Sequence, residues 1–317
     1  RTAGAAMFLG IECGATHSVA LLTDDGDQIV CRAAAGPANL RLLDDAQLTS
    51  HFFSLSQVLP PSPPPVSLAI GMAGARTEED RERIHRAAEN VWPGIPCYAT
   101  NDLETGLMAV GDEGPGPRVL VLSGTGSCCF GRAPTGRTAK VGGWGHLLGD
   151  RASGYDIGLG ALKAVARHLD CEGALPPLGQ QILRALQLNE PEALVGWAQQ
   201  AAKPDIAALA VQVFDARARK DRIAREVLDA AADNLAKDAA ACARRLAKAG
   251  TPVRFVLAGS VLLKQPWFAG QVKLRLRRHW PKAVVTPLAR ESAWGAVELA
   301  KREWNRSRKR GADRDIQ

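Results

Sequence analysis

One pattern of strands and small-residue turns occurs twice in this chain and limits the folds that it can adopt. The first copy places a polar turn, residues 12–18, between the apolar stretches 7–11 and 19–22. The second places the turn 123–127 between the apolar stretches 118–122 and 128–130. Each copy is typical of an antiparallel meander of short strands joined by tight turns. We therefore expect two halves of similar architecture.

The segments that follow each meander alternate between helical patterns and buried-strand patterns, which predicts an α/β fold. The 317 residues of the chain suit two domains, because single cores stop growing below roughly 300 residues. A Gly/Pro-rich stretch at 111–117 indicates a boundary, so we expect one domain over 1–115 and another over 116–289. A C-terminal helix at 290–306 is expected to pack back on the first domain, and a basic tail at 307–317 is expected to be disordered.

The charge, the cysteine content and the apolar runs indicate which partners and which compartment to expect. The net charge is +7, but residues 301–317 hold seven Lys/Arg against three Asp/Glu, so a terminal segment supplies more than half of it and we expect no nucleic-acid partner. Seven cysteines without a C-x-x-C pair favour a reducing compartment, and we expect a cytoplasmic protein. No signal-peptide pattern and no run of about 20 apolar residues is present, so we expect no membrane association.

The two turns carry the residue types that bind phosphate through the backbone. Backbone N–H groups approach phosphate oxygens closely only where side chains are small or absent. Gly14 and Thr16 provide this in the first turn, and Gly124-Thr125-Gly126 provides it in the second. Either turn alone also fits an ordinary hairpin. The presence of both turns at equivalent positions favours a binding site for a nucleoside triphosphate. The chain has neither a Walker loop nor a Rossmann G-x-G-x-x-G motif.

Six segments, in order along the chain, resemble the N-acetylglucosamine kinases of the BadF/BadG/BcrA/BcrD-type ATPase family. They are Gly10-Ile11-Glu12-Cys13-Gly14-Ala15-Thr16, Thr100-Asn101-Asp102, Ser123-Gly124-Thr125-Gly126-Ser127, Gly142-Gly143-Trp144-Gly145-His146, Gly149-Asp150 and Ala258-Gly259-Ser260-Val261. The resemblance implies the actin-like/hexokinase superfamily fold, with two similar actin-like, ribonuclease H-like ATPase domains around a central nucleotide and sugar cleft.

By this resemblance the chain is an ATP-dependent amino-sugar kinase that uses Mg²⁺ and phosphorylates N-acetylglucosamine or a close relative, at the 6-hydroxyl. Asp102 is then the general base, which takes the hydroxyl proton while the γ-phosphoryl group transfers. The alternative is that Asn101 or Asp102 only caps the helix that follows. Glu12 stands where the superfamily carries the carboxylate that helps to hold Mg²⁺, and its alternative is an exposed residue at a strand end.

The same resemblance assigns the other site residues. Those implied to bind the nucleotide are Gly14, Thr16, Gly124, Thr125, Gly126, Ala207 and Gly259. Those implied to bind the sugar are Asn39, Asp102, Ser127, Gly143, Trp144 and Asp150. Taken singly, Trp144 also fits a core tryptophan, Asp150 a helix cap and Gly259 a common strand-end glycine.

One departure from the family pattern leaves the substrate open. The family reads Gly-Asp-Glu-Gly-Ser where this chain reads Gly149-Asp150-Arg151-Ala152-Ser153. Arg151 either points to solvent, or it favours an acidic sugar such as N-acetylmuramic acid and disfavours a free amine such as glucosamine. A kinase of N-acetylmuramic acid and a kinase of glucosamine both stay open as alternatives. Two other classes stay open: an ATPase activator of a reductase or dehydratase, and a non-catalytic sugar sensor. A homodimer is an open alternative to a monomer.

Overall fold

The computed structural model describes residues 6–14, 16–111 and 116–314, with side chains described up to residue 308. The chain divides into two compact units, which are called the first unit (Arg1–Gly114 with Leu288–Gln317) and the second unit (Pro115–Pro287).

The described residues of the first unit form a five-stranded sheet and four helices. Its strands are β1 (Phe8–Cys13), β2 (Ser18–Thr23), β3 (Ile29–Ala35), β4 (Ser67–Met72) and β5 (Cys97–Thr100), and its helices are α1 (Asp45–Ser56), α2 (Glu78–Val91), α3 (Asp102–Met108) and α12 (Ala293–Arg314). The strand order is β3-β2-β1-β4-β5. Strands β3, β2 and β1 form the antiparallel meander, and β1, β4 and β5 are parallel.

The second unit repeats this sheet. Its strands are β6 (Arg118–Ser123), β7 (Ser127–Arg132), β8 (Thr138–Gly142), β9 (Val253–Ala258) and β10 (Ala283–Pro287). Their order is β10-β9-β6-β7-β8. Read from the β8 edge, it is the order of the first sheet with five added to each strand number, again with a meander on one side and parallel pairs on the other. The duplication predicted from the two meanders is therefore confirmed.

Helices make up the rest of the second unit. They are α4 (Gly154–Glu172), α5 (Pro177–Leu186), α6 (Ala193–Gln200), α7 (Lys203–Ala208), α8 (Ala210–Ala218), α9 (Arg222–Arg244), α10 (Ser260–Leu263) and α11 (Pro266–His279). Sequence analysis assigned no element to residues 264–287 and so missed α11 and β10. Strand β10 is short and only two of its five residues are buried, so its apolar pattern is weak.

The apolar pattern of the central strands explains the layers of the first unit. Alternate side chains of β1 point to opposite faces, and Leu9 and Ile11 join the core formed with α1 and α2. Phe8 joins the core on the other face, where Val297 and Ala300 of α12 pack. Helix α12 contacts β1, β4 and α3, so a C-terminal segment covers the N-terminal sheet.

Glycines let the backbones in this layer come close together. A Cβ added at Gly10 of β1 would overlap the backbone nitrogen of Val297 and lie 2.7 Å from the carbonyl oxygen of Ala293. A Cβ added at Gly295 of α12 would overlap the carbonyl oxygen of Thr105 in α3. Helix α12 thus sits directly on β1 and α3, a position that larger residues would prevent.

The C-terminal segment differs from expectation. Helix α12 continues to Arg314, whereas a disordered tail was expected from residue 307. Residues 315–317 of that expected tail lie outside the described residues. Membrane-spanning helices are absent from the described ranges, since no helix there combines the required length with the required apolar character.

We predict that Gly295→Ala destabilises the first unit, because the added methyl group must displace α3 or α12. Overpacking of this kind costs about 1–3 kcal/mol in the free energy of unfolding, measured by urea denaturation. Gly270→Ala in α11 is the matched control, because nothing lies within 4 Å of its added Cβ. That change should be neutral or stabilise by up to about 1 kcal/mol. Equal effects of the two substitutions would contradict the proposed close packing of α12.

Candidate active site

Two carboxylates of the first unit, those of Asp102 and Glu291, lie within electrostatic range of Glu12. Glu12 lies near the end of β1, Asp102 is the first residue of α3, and Glu291 precedes α12. Burial, and to a smaller extent the nearby charges of Asp102 and Glu291, together raise the pKa of Glu12 from 4.5 to about 8. The structure therefore places the predicted metal-binding and catalytic residues together. It adds Glu291, which sequence analysis missed.

Asn101, rather than Asp102, caps helix α3. The Asn101 side chain accepts a hydrogen bond from the backbone nitrogen of Glu104 at 2.9 Å. The carbonyl of Asp102 accepts from Thr105 Oγ1 at 2.9 Å, and the Asp102 residue is half-buried. Because Asn101 provides the cap, the alternative reading in which Asp102 serves that purpose is not needed.

Close packing fixes the position of α3 beside β4. A Cβ added at Gly71 of β4 would overlap the side chain of Thr105. Gly71 is paired with Glu12 in the parallel register of β1 and β4. Helix α3, and with it Asp102, is thereby held over the strand pair that carries Glu12.

The first of the two turns that were predicted to bind phosphate follows Glu12 directly. The backbone nitrogen of Gly14 donates to the carbonyl of His17 at 2.9 Å, and Thr16 is exposed. A Cβ added at Gly14 would lie 3.3 Å from Glu12 Oε1, so the turn is in contact with the carboxylate. Ala15 lies outside the described residues.

The loop that carries Asn39 is bonded to the same turn. The backbone nitrogen of Ala38 donates to the carbonyl of Gly14 at 3.0 Å. On its other side, the backbone nitrogen of Leu40 donates to the carbonyl of Ala73 at 2.9 Å. The side-chain oxygen of half-buried Asn39 accepts from the backbone nitrogen of Arg41 at 3.0 Å. Asn39 is thus held by its own loop next to the β1–β2 turn.

A Ser–His pair beneath this region was not recognised from the sequence. The hydroxyl of buried Ser18 donates to the carbonyl of Gly36 at 3.0 Å, and His51 Nε2 of α1 lies 2.9 Å from the same hydroxyl. Burial lowers the pKa of His51. The neutral imidazole can donate its Nε2 proton to Ser18 Oγ, so the pair ties the start of the Asn39 loop to β2 and α1.

The predicted nucleotide residues of the second unit come together around the N-terminus of α4. In the turn after β6, the backbone nitrogen of Gly124 donates to the carbonyl of Gly126 at 2.9 Å, with Thr125 between them partly exposed. Gly154 of α4 donates its backbone N–H to the carbonyl of Gly124 at 2.7 Å, and a Cβ added at Gly154 would lie 3.5 Å from the Cβ of Ala207.

Gly259 packs directly against this turn. Its φ of 88° lies in the region that favours glycine, and an added Cβ would overlap the carbonyl of Ser123. The added Cβ would also lie 3.0 Å from the backbone nitrogen of Gly124, which is a tight contact. The packing and the backbone conformation therefore both require glycine at this position, which an ordinary strand end does not.

Asp150 is a buried carboxylate with two partners. It accepts from the backbone nitrogen of Ser127 at 3.2 Å and from Lys203 Nζ at 2.7 Å, and it is 4% exposed. A Cβ added at Gly126 would lie within about 3.1 Å of both the carboxylate and the ammonium group. Ser153, not Asp150, caps α4. Lys203 was not predicted as a site residue, because in the sequence it is an ordinary residue at the start of a helix.

The other predicted sugar residues of this unit have contrasting environments. Ser127 Oγ donates to the carbonyl of Arg151 at 2.6 Å, and the backbone nitrogen of Gly143 donates to the carbonyl of Ser127 at 3.2 Å. Trp144 is 70% exposed, so the alternative that it is a core tryptophan is wrong. Ser127, Gly143 and Asp150 thus form one hydrogen-bonded cluster, with Trp144 exposed on the loop that joins Gly143 to Asp150.

Arg151 binds to helix α9. Its guanidinium donates to Asn234 Oδ1 at 2.6 Å and to Asp238 Oδ1 at 3.3 Å. The side chain is half exposed. Arg151 therefore does more than point to solvent, because it makes two polar contacts, one of them with an acidic side chain.

The first-unit carboxylates fit a magnesium ion that is shared with phosphates. Mg²⁺ prefers oxygen ligands, keeps several waters and needs few protein groups. A cation beside Glu12 would stabilise the charged carboxylate that burial and two acidic neighbours disfavour. In the described part of the chain, no three His, Cys, Asp or Glu side chains are placed to hold a metal ion on their own. Glu12 is the residue that would hold the ion.

Comparison of the sequence with known families and proteins identifies its family and several relatives. The profile of the BadF/BadG/BcrA/BcrD ATPase family matches residues 9–300. An N-acetylmuramic acid/N-acetylglucosamine kinase of Clostridium acetobutylicum is 32% identical over 239 residues, which is 75% of this chain and 78% of that protein. An N-acetyl-D-glucosamine kinase of Dictyostelium discoideum is 35% identical over 133 residues, 42% of this chain and 41% of that protein.

Solved structures share the fold. A candidate N-acetylglucosamine kinase from Chromobacterium violaceum matches with a TM-score of 0.72 and 24% identity, covering 93% of this chain and 99% of that chain. A ROK family glucokinase from Streptomyces griseus, in complex with glucose and AMPPNP, matches with a TM-score of 0.62 and 14% identity, covering 94% of this chain and 100% of that chain. The predicted family resemblance and the predicted α/β fold class are confirmed.

We predict a pH-dependent stability difference between the wild-type protein and Glu12→Gln. The unfolded chain loses the Glu12 proton near pH 4.5 and the folded protein near pH 8, so the folded state binds the extra proton between these values. The contribution of Glu12 to stability therefore falls as pH rises across this window, by up to about 1.4 kcal/mol per pH unit. In metal-free buffer, the free energy of unfolding of Glu12→Gln should rise relative to wild type from pH 5 to 8. A constant difference over that range would refute the raised pKa.

We predict that Lys203→Met destabilises the second unit by about 1–3 kcal/mol, because it leaves the buried Asp150 carboxylate without its cation. Lys237→Met is the matched control, since the Lys237–Asp233 pair is exposed on both sides, 53% and 40%, and should contribute at most about 1 kcal/mol. The double substitution Lys203→Met/Asp150→Asn should recover part of the loss, as a double-mutant cycle by urea denaturation would measure. Equal losses for Lys203→Met and Lys237→Met would show that the buried pair has no special role.

Proposed function

The chain belongs to the BadF/BadG/BcrA/BcrD ATPase family, and on that premise we propose that it is an ATP-dependent amino-sugar kinase. The observation that carries the proposal is the half-buried Asp102 beside Glu12, on a helix whose cap is Asn101. A carboxylate held in this way can take a proton from a sugar hydroxyl. The name of the relative that is 32% identical supports an N-acetylated amino sugar as the substrate.

The proposed reaction transfers the γ-phosphoryl group of ATP to the 6-hydroxyl of N-acetylglucosamine. The hydroxyl oxygen forms a bond to the γ-phosphorus, its proton passes to Asp102, and the bond from the γ-phosphorus to the β–γ bridging oxygen breaks to release ADP. Base catalysis of this type is worth about 10²–10⁴ in rate. Asp102 also orients the hydroxyl that reacts.

Backbone groups are proposed to bind the nucleotide. The small residues Gly14, Gly124 and Gly126 let phosphate oxygens approach backbone N–H groups, and the hydroxyls of Thr16 and Thr125 add donors. The proposed adenosine contacts are Gly259, which lies against the Gly124 turn, and Ala207, which lies beside Gly154. Glu12 would hold Mg²⁺, and a bound Mg²⁺ would neutralise part of the phosphate charge.

Fixed polar groups are proposed to select the sugar. Asp150 and Asn39 would bind ring hydroxyls, since both are oriented by hydrogen bonds within the protein. Ser127, Gly143 and Trp144 would contact the acetamido side, with Trp144 as an exposed aromatic surface. Orientation before binding lowers the entropy cost of holding the substrate.

N-acetylmuramic acid is the second candidate substrate. The relative from Clostridium acetobutylicum carries that sugar in its name, and Arg151 adds a cation near Asp150 in the sequence. The contacts of Arg151 with Asn234 and Asp238 occupy part of its hydrogen-bonding capacity, which favours N-acetylglucosamine over the acidic sugar.

We predict that ADP release from Mg-ATP is stimulated by N-acetylglucosamine, and that Asp102→Asn lowers kcat by about 10²–10⁴ while sugar binding persists. Binding is measured by calorimetry on both proteins. Asp170→Asn, an exposed position on α4, is the matched control and should keep wild-type kcat.

A sugar panel decides the substrate and the function class. It contains N-acetylglucosamine, N-acetylmuramic acid, glucosamine, N-acetylmannosamine and glucose. Stimulation by N-acetylmuramic acid alone would favour the second candidate. Absence of stimulation by every sugar would reject the kinase proposal in favour of a sensor or an ATPase activator, and wild-type turnover by Asp102→Asn would reject the assignment of the base.

A further inference from the structure

A cavity of about 480 Å³ lies in the second unit among α4, α5 and the turn between α8 and α9. Its apolar lining includes Leu178, Ala216 and Ile223. Its polar lining is mainly basic, and the residues are His168, Arg184, Arg219, Lys220 and Arg222. Among the described residues that line it, Asp221 is the acidic one.

The basic side chains of this cavity have little compensation from carboxylates. His168, Arg184, Arg219 and Lys220 make no ion pair within the described ranges, and Arg222 pairs with Glu226 at 2.9 Å on the exposed surface of α9. The carboxylate of Asp221 accepts the backbone N–H of Ala224 at 2.8 Å as the cap of α9. Like charges that gather around one concavity repel each other, and a bound anion would relieve that repulsion.

The backbone adds to the positive potential. Helix α5 begins at the cavity with Pro177, directly after Pro176, and no side chain caps its N-terminus. The dipole of this ten-residue helix favours an anion at that end. Lys220 has a φ of 67°, a strained conformation that hydrogen bonds of the α8–α9 turn maintain, among them Lys220 N to the carbonyl of Arg217 at 2.9 Å.

We infer that this cavity binds a phosphorylated small molecule. Guanidinium groups match the oxygens of a phosphate ester, and Arg184 and Arg219 provide two of them. The volume lies within the range of about 300–1,000 Å³ that is typical of small-molecule sites, and it leaves room for a sugar-sized body against the apolar lining. A concave site of this size favours a small ester over a nucleic acid or an acidic protein, whose contacts need a broad surface.

The site is separate from the sugar cluster of the same unit. Helix α4 begins with Gly154 next to the Gly124 turn and reaches His168 fourteen residues later, roughly 20 Å along the helix axis. None of the cavity residues belongs to the proposed catalytic or binding machinery. The inference therefore does not rest on the proposed function.

The test compares three proteins by calorimetry in about 0.15 M salt with inorganic phosphate, glucose 6-phosphate and fructose 1,6-bisphosphate as probes. The wild-type protein should bind at least one phosphate ester, and Arg184→Glu/Arg219→Glu should bind it at least about tenfold more weakly. Arg278→Glu, an exposed position on α11, carries the same type of charge change and should keep wild-type affinity. Arg184→Gln provides a milder variant if the double variant fails to fold.

Location and activity separate the cavity from the kinase site. Hydrogen exchange should show protection of α5 and the α8–α9 turn by the bound ester, and the double variant should keep the wild-type kcat/KM for sugar phosphorylation. Three results would overturn the inference: no binding of any probe at millimolar concentration, equal losses in the double variant and Arg278→Glu, or protection confined to the turn at Gly124.

Discussion

Close contact between backbones, made possible by three glycines, supports the arrangement of the first unit. Gly10 and Gly295 let α12 lie directly on β1 and α3, and Gly71 lets α3 lie directly on β4. Interiors are packed too densely to absorb even one extra methyl group at such points without displacement. The positions of Asp102 on α3 and Glu12 on β1 depend on these contacts, so the carboxylate pair is a consequence of packing.

The two units treat buried charge in opposite ways. In the second unit, Asp150 is neutralised by Lys203 and a backbone N–H, which stabilises a fixed loop. In the first unit, Glu12 meets two further carboxylates, and burial together with this repulsion raises its pKa. An arrangement that disfavours its own charged state is suited to a cation, and perturbed groups of this kind concentrate at functional sites. The cavity near Arg184 presents the reverse case, because most of its basic side chains make no ion pair among the described residues and are suited to an anion.

Much of the fold could be predicted because local patterns repeat. The two meanders gave the duplication, and Asn101, Asp44 and Thr77 begin helices with side-chain caps of the expected type. The α11–β10 segment could not be predicted, because an edge strand with half-exposed side chains has a weak apolar alternation. The helical continuation of α12 to Arg314 was also missed, since a run of basic residues favours solvation as much as it favours a helix.

The sequence by itself determined which residues could carry chemistry: two turns of small residues, an Asn-Asp pair at a helix start and a glycine-framed tryptophan loop. These signals are local, because turns and caps are set by neighbouring residues. Only the tertiary structure decided the partners that act over long separations. It brought Glu291 to Glu12, Lys203 to Asp150, His51 to Ser18 and Asn234 with Asp238 to Arg151. No local rule predicts these pairs, because burial and electrostatic proximity arise only when distant segments pack into one core.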